Sequence, residues 1–379
     1  PRRAAHHGAH AASGPSRDRC NDMRQMRSAR RRWPEVLCAV ALAFVVTVVA
    51  AGAGGGAGED AEQPLRPSMT STSSAQLFPR RCNVSALVAR RRHESCGRLA
   101  YSISDAMAFF EKWEDVTGFI GFPTAYFIHF VSLLQCELGI TGAIGEIGVA
   151  GGKSFAAMAF TRRAGEMLIA CDIFKRGVES DNVPDANIMY FEHVLETVRI
   201  PVEDVVMLQQ SSLQLMDRDL VTLSSTRRRL GPHAKPAAPV GHFRMFHVDG
   251  GHFAFAAFHD LNLAACALVP GGIVLVDDLH NMGYPGVQEG FHHFMLQEAP
   301  VPRLVPFLFT GRLFLTTRGY ASAYRRAIAR AHPELTTAVF YGEPVLEAPP
   351  QQVDLTMARF QGLLRRAAAA GGSDGASTG

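Results

Sequence analysis

The chain has 379 residues, 47% of them hydrophobic, enough to bury the core of a domain of about 200 residues or more. Its net charge of +3 conceals an asymmetry: the first 34 residues carry nine Arg against Asp18 and Asp22, for +7, and the remainder sums to −4. A mildly acidic body lacks the basic stripe that nucleic-acid binding requires, so no nucleic-acid partner is expected.

Residues 1–35 form a basic leader. The run VLCAVALAFVVTVVAAGA at 36–53 is uncharged, followed by Gly and Ala to 58. Eighteen helical residues reach about 27 Å, enough to cross a bilayer. Arg30, Arg31 and Arg32 flank it on the N-terminal side, which by the positive-inside rule puts the body across the membrane. Residues 36–58 are therefore expected to be a transmembrane signal anchor, or a signal peptide cleaved near Ala51–Ala53. The expected location is a single-pass type II membrane protein with a lumenal body, with secretion or plastid targeting as alternatives. The sequon Asn83-Val84-Ser85 agrees with a glycoprotein in that setting. Residues 59–97, polar and carrying Pro, Ser and Thr, read as a stem. Seven cysteines are too scattered for a disulfide scaffold. Cys82 and Cys96 could pair in an oxidising lumen, while Cys136, Cys171 and Cys266 fall in core patterns.

The main domain is placed at 98–319. It opens with two helical patterns, DAMAFFEKWEDV and TAYFIHFVSLLQCEL, with Pro123 suited to the first turn of the second. Short apolar runs then alternate with helical stretches. They are Ala143–Val149, Met167–Asp172, Val205–Leu208, Phe243–Val248, Gly272–Val276, Leu304–Phe309 and Arg312–Thr316. This rhythm predicts a doubly wound, mostly parallel seven-stranded α/β sheet covered on both faces. Only Thr310-Gly311 separates the last two runs, so they form a tight hairpin and the last strand is antiparallel. Thr222–Pro239 reads as an exposed insertion. Residues 320–370 read as a helical extension with helices at Ala321–Ala331 and Leu355–Ala369, and 371–379 as a disordered tail.

Gly145-Glu146-Ile147-Gly148-Val149-Ala150-Gly151-Gly152-Lys153-Ser154 follows a strand and opens a helix. Glycines 148, 151 and 152 let a backbone approach a ligand, and the helix start offers free N–H groups. A Walker A loop would need Gly at position 147, which is Ile; a purely structural glycine turn is the other alternative. Asp172 closes the second run, where a carboxylate can accept both hydroxyls of a ribose, or else cap a helix. Gln210-Ser211-Ser212 follows the third run at the place of adenine contacts. The fourth run ends in His247-Val248-Asp249-Gly250-Gly251-His252 and the fifth in Val276-Asp277-Asp278. Neighbouring strand ends of a doubly wound sheet meet at one crevice, so these carboxylates and His252 would converge. Carboxylates packed together need a cation or a proton, and hard oxygen donors select Mg²⁺, Mn²⁺ or Ca²⁺. One of Asp277 and Asp278 could instead cap the next helix, and ordinary polar strand ends without metal remain the plain alternative.

The blocks GEIGVAGGKS, CD, HVDGGHFAFAAFHDL and LVPGGIVLVDD resemble the class I S-adenosylmethionine-dependent methyltransferases grouped with cephalosporin-hydroxylase-like proteins, and the magnesium-dependent sugar O-methyltransferases. The resemblance runs from about Gly142 to Thr316. It implies S-adenosylmethionine bound by Glu146, Gly148, Gly151, Gly152, Ser154, Asp172, Ser211 and Ser212. It also implies Mg²⁺ (or Mn²⁺ or Ca²⁺) on Asp249, Asp277 and Asp278, with His252 as base beside Asp249. Gln210-Ser211-Ser212 departs from the Gly-Asp-Ser-like residues usual after the third strand. The expected activity is O-methylation of a sugar or other diol, on a small-molecule or glycan acceptor. Alternatives are a metal-independent methyltransferase, a P-loop sulfotransferase or kinase, and an inactive membrane-anchored binding protein.

Overall fold

In the computed structural model the described residues are 96–174, 188–216, 219–220, 243–298, 303–348 and 355–371. The leader, the apolar run at 36–53, nearly all of the stem with its sequon, the insertion at 222–239 and the C-terminal tail lie outside them.

Two helices precede the sheet. Helix α1 (Ile103–Glu111) starts at Ser102, whose hydroxyl accepts the backbone N–H of Asp105 and so satisfies one of the free donors of the first turn. Helix α2 (Phe122–Glu137) has Pro123 in its first turn, as its sequence predicts, and is buried on nearly every face. The chain then alternates: β1 (Ala143–Ile147), α3 (Lys153–Ala159), β2 (Leu168–Asp172), α4 (Ile188–Thr197), β3 (Val205–Gln209), β4 (Phe243–Val248), α5 (Ala254–Ala267), β5 (Leu268–Val276), α6 (Pro285–Leu296), β6 (Leu304–Phe309), β7 (Leu313–Thr317), α7 (Arg318–Ala331), β8 (Thr336–Phe340), β9 (Glu343–Glu347) and α8 (Met357–Ala370).

These strands make one sheet in the order β3-β2-β1-β4-β5-β7-β6-β9-β8. Strands β1 to β5 are parallel and β7 inserts antiparallel between β5 and β6. Strand order reverses between β1 and β4, so the crevice of a doubly wound sheet opens at their carboxyl ends. A core cluster lies on each face: Phe127, Phe155 and Met245 belong to one and Phe246, Leu261 and Val274 to the other. Within the first, Arg244 on β4 is bound by Glu166 at 2.7 and 2.9 Å and by Gln135 of α2, which locks that helix to the sheet through a buried pair with its lone pairs satisfied.

Three expectations are corrected. The sheet has nine strands rather than seven, because the extension after 320 contains the hairpin TTAVF-YG-EPVLE as well as its two helices. Tyr341 (φ +52°) and Gly342 (φ +74°) supply the two left-handed residues of a tight turn matched to strand twist, and β9 pairs parallel with β6. Cys96 is disulfide-bonded to Cys136 at the end of α2 rather than to Cys82, the two Cα atoms lying 5.1 Å apart. Cys136 is thus a bridge residue rather than a simple core thiol, and Cys266 is disulfide-bonded as well. Finally, a single-pass membrane protein is not upheld: among the described residues no helix is long and apolar enough to cross a membrane.

Candidate active site

The cleft is made by the ends of β1, β4 and β5. Asp249 N–H donates to the Ile147 carbonyl and Asp277 N–H to the Val248 carbonyl, which ties the three exits together. The glycine turn after β1 is pressed onto the exit of β4. Gly148 has φ +82°, and a Cβ there would stand 1.7 Å from the Asp249 carbonyl oxygen, so only glycine fits. Gly151 is covered by the Thr117 carbonyl and Gly152 by the Phe191 ring. The space left by these glycines is filled by protein, so the turn serves first to bring two strand exits and a covering segment together.

That covering segment follows α1. Lys153 lies 4.4 Å from the Trp113 ring, a cation–π contact, and burial holds its ammonium below the usual lysine range. Tyr190 donates to the Thr117 hydroxyl at 2.5 Å, and the Phe119 carbonyl accepts from Arg312 at 3.5 Å.

At the floor, Glu146 on β1 is 1% exposed. Its Oε1 accepts from Ser154 Oγ at 2.5 Å and lies 2.6 Å from His247 Nδ1. Arg312 Nε donates to His247 Nε2 at 3.1 Å, so the imidazole proton sits on Nδ1 and faces Glu146. Burial, with the Arg312 charge next, pushes His247 down to about 3, and the ring is neutral. Burial pushes the Glu146 carboxyl well above its usual range. Oε1 accepts both of those bonds, and Oε2 is a buried atom with no hydrogen-bond partner among the described residues.

Asp172, at the end of β2, accepts from the Ala150 and Phe174 N–H groups at 2.8 and 2.7 Å, one on each oxygen. It caps loop amides rather than a helix, and each oxygen keeps a second lone pair. Ser211 caps the turn after β3 through the Leu213 N–H, while Ser212 is buried and bonded to Asp260.

The neighbouring carboxylates Asp277 and Asp278 take different partners, and Asp277 also hydrogen-bonds Asp249. Asp278, with φ +53°, turns its side chain to His252 (Oδ2 to Nε2, 3.2 Å) and accepts from Asn281 at 3.0 Å. Burial alone would raise Asp278, but the bonds from His252 and Asn281 and the charges of His252 and Arg312 hold it below the usual range. Tyr284 stacks on His252 with ring centres 3.8 Å apart. Asp249, His252 and Asp278 bring one ligand atom each within 4.8 Å of one another, and Glu146, His247 and Asp249 form a second such group. Asp277 stands in neither. It is ion-paired with Arg312, and its other oxygen accepts the Asp278 N–H at 2.8 Å. Arg312 Nη2 also lies 4.0 Å from Asp249. Burial and the neighbouring Asp277 push the Asp249 carboxyl well above its ordinary value, against the pull of Arg312.

Sequence reasoning missed Arg312, His247 and Tyr284. The signal for the first was present: one charge inside the apolar hairpin FLFTGRLFL.

The family model described as a methyltransferase domain matches residues 146–279, from Glu146 to just past Asp278. Over that stretch the resemblance to class I methyltransferases is met. No curated protein matches the chain. Among solved structures, the calicheamicin-biosynthesis TDP-rhamnose 3'-O-methyltransferase CalS11 is 16% identical, over 51% of this chain and 77% of its own, with TM-score 0.35. The O-methyltransferase NovP is 14% identical over 52% and 80%, with TM-score 0.37. TomG from Streptomyces achromogenes, an O-methyltransferase of tomaymycin synthesis solved with S-adenosylmethionine, is 16% identical over 60% and 91%, with TM-score 0.34.

Proposed function

We propose that this chain is an S-adenosylmethionine-dependent O-methyltransferase acting on a hydroxyl of a sugar or other diol. The observation that carries the reading is the buried, unpartnered Oε2 of Glu146, on the floor of a cleft inside the stretch matched by the methyltransferase family model. A buried carboxyl oxygen left without a partner is costly unless a ligand completes it, and an ammonium suits it.

When bound, S-adenosylmethionine supplies an electrophilic methyl on a sulfonium. Glu146 would accept from its amino group, held in place by Ser154 and His247. Asp172 would take the ribose hydroxyls on its remaining lone pairs. Gly148, Gly151 and Gly152 set the turn between these carboxylates. Ser211 borders the adenine end, and Ser212 holds that turn through Asp260.

His252 is the proposed base. Its bond to Asp278 and its stack on Tyr284 fix the ring, leaving one nitrogen to take the proton of the acceptor hydroxyl. Asp249 and Asp278 are the carboxylates that would hold a divalent cation, whose chemistry is to lower the pKa of a bound hydroxyl. With the cofactor fixed beside it, the deprotonated acceptor oxygen would be placed to receive the methyl, S-adenosylhomocysteine being the leaving group.

The test is calorimetry with S-adenosylhomocysteine at neutral pH, alongside transfer of labelled methyl to a panel of polyols and hydroxylated small molecules. Asp249→Ala is expected to lose methyl transfer and keep cofactor affinity within threefold, while Glu146→Gln weakens that affinity at least tenfold. Absence of S-adenosylhomocysteine binding to the wild-type chain would refute the reading.

A further inference from the structure

Asp249 after β4 and the pair Asp277-Asp278 after β5 could all be taken as ligands of one cation, but the hairpin β6–β7 gives Asp277 a different partner from Asp278, although Asp277 also hydrogen-bonds Asp249. Val276 pairs with Leu313 in the antiparallel register of β5 and β7. One step beyond that pair, Asp277 therefore faces Arg312. Arg312 is 5% exposed, and its guanidinium is engaged at all three nitrogens: Nε with His247, Nη1 with the Phe119 carbonyl, and Nη2 with Asp277. Such an arrangement fixes the planar fork in one orientation. The second oxygen of Asp277 is held by the Asp278 N–H. Across the left-handed backbone of Asp278, the adjacent carboxylate is directed instead to His252 and Asn281.

We propose that Arg312 is a positioning residue that draws Asp277 out of the cation seat, so that the seat consists of Asp249 and Asp278, with the guanidinium as a permanent second cation beside it. This deepens the metal assignment made above and rests on it. The physical reason is electrostatic. A carboxylate bridged at short range to a buried guanidinium has little charge left to offer a metal, and a doubly charged ion brought to Asp277 would also meet Arg312 directly. The 4.0 Å separation of Arg312 Nη2 from Asp249 Oδ2, against its direct pairing with Asp277, leaves Asp249 as the carboxylate shared between the two sides of the site. The consequence is a weaker cation seat with fewer charged ligands than the sequence suggests, next to a fixed positive charge that steadies the floor through His247 and Glu146.

The experiment is direct Mn²⁺ binding to the full chain, read by electron paramagnetic resonance and calorimetry without turnover. Asp278→Asn and Asp249→Asn are expected to weaken Mn²⁺ at least tenfold. Asp277→Asn should leave it within threefold. Because Asp277→Asn strands a buried guanidinium and could unfold the chain, the double variant Arg312→Gln/Asp277→Asn, which removes both charges together, is measured beside it and should also bind Mn²⁺ within threefold of wild type. Arg312→Gln alone, by freeing a third carboxylate, should tighten Mn²⁺ at least fivefold. A tenfold loss in the double variant matching that of Asp278→Asn would overturn the role given to Arg312. A wild-type chain that binds no Mn²⁺ would instead remove the metal assignment on which it rests.

Discussion

Gly148→Ala tests the convergence of the strand exits most sharply. At φ +82° a residue with a Cβ carries a left-handed cost of about 1–2 kcal/mol. The new Cβ would also stand 1.7 Å from the Asp249 carbonyl oxygen, and reaching the 3.0 Å that real Cβ contacts respect takes a shift of about 1.3 Å. Overpacking of this kind adds about 1–3 kcal/mol. Together these predict a fall in melting temperature of about 5–15 °C for a domain of this size. Separation of the glycine turn from Asp249 by more than 1 Å should also weaken S-adenosylhomocysteine at least tenfold, or about 1.4 kcal/mol. The matched control is Gly139→Ala. Gly139 has φ +68° with nothing within 4 Å of its Cβ, so that variant bears the backbone cost alone and should keep full cofactor affinity. Differential scanning fluorimetry and calorimetry on both variants give the two readings. Equal melting temperatures and equal affinities for the pair would refute the claimed contact between the turn and the exit of β4.

Two further predictions concern stability. His129 donates from Nε2 to the Ala157 carbonyl and is buried against Phe110 and Phe360, which pushes it down to about 3. The unfolded chain binds that proton near pH 6.5, so its contribution is complete above pH 6.5 and is lost as pH falls toward 3, with a slope of about 1.4 kcal/mol per pH unit. At pH 5 this amounts to about 2 kcal/mol. Raised groups such as Glu146 act in the opposite sense, so the measurement is the difference between wild type and His129→Phe in urea titrations across pH 7 to 5. A difference that does not change with pH would contradict the assignment. The Cys96–Cys136 bridge closes a loop with a sequence separation of 40, worth about 4 kcal/mol by chain entropy. The Cys96→Ser/Cys136→Ser pair should lower the denaturant midpoint accordingly, and no change there would show that the bridge contributes nothing to the folded chain.

The parallel half of the sheet was legible because a strand buried on both faces is mostly apolar, and β1, β2, β4 and β5 are, apart from Glu146, Asp172, Arg244 and His247. The β8–β9 hairpin was not legible by the same rule. Strand β8 is an edge whose residues are exposed or half-buried, and Pro344 near the start of β9 argues against a strand unless its missing N–H faces away from a partner. Tyr341-Gly342 was the available cue, since only a turn tolerating two left-handed residues joins strands so closely. The Cys96 pairing was misjudged for a related reason. An oxidising lumen made Cys82 a candidate partner, whereas the fold brings Cys96 and Cys136, 40 residues apart in sequence, to a Cα separation of 5.1 Å.

At the site, the residues read correctly as neighbours are those borne on the ends of parallel strands, because topology alone determines where such ends go. Glu146, Asp249 and Asp277 needed only the order β1, β4, β5. What topology does not determine is the partner each carboxylate takes, and here the antiparallel strand decides. A carboxylate cluster requires compensation, and a metal was the inference available from acids alone. Arg312 lies 35 residues beyond Asp277 and reaches it only through the register of β5 with β7. Its guanidinium then orders the remaining groups: it fixes the tautomer of His247, which fixes the hydrogen-bonded oxygen of Glu146, which leaves the other oxygen for a ligand. The orientation of the proposed cofactor carboxylate is thus set from the far side of the cleft by a residue outside the matched methyltransferase stretch. Loss of Arg312 should therefore be felt at Glu146 as well as at Asp277, so Arg312→Gln is expected to weaken S-adenosylhomocysteine severalfold even as it strengthens Mn²⁺, and calorimetry showing both ligands move in the same direction would break this chain of dependence.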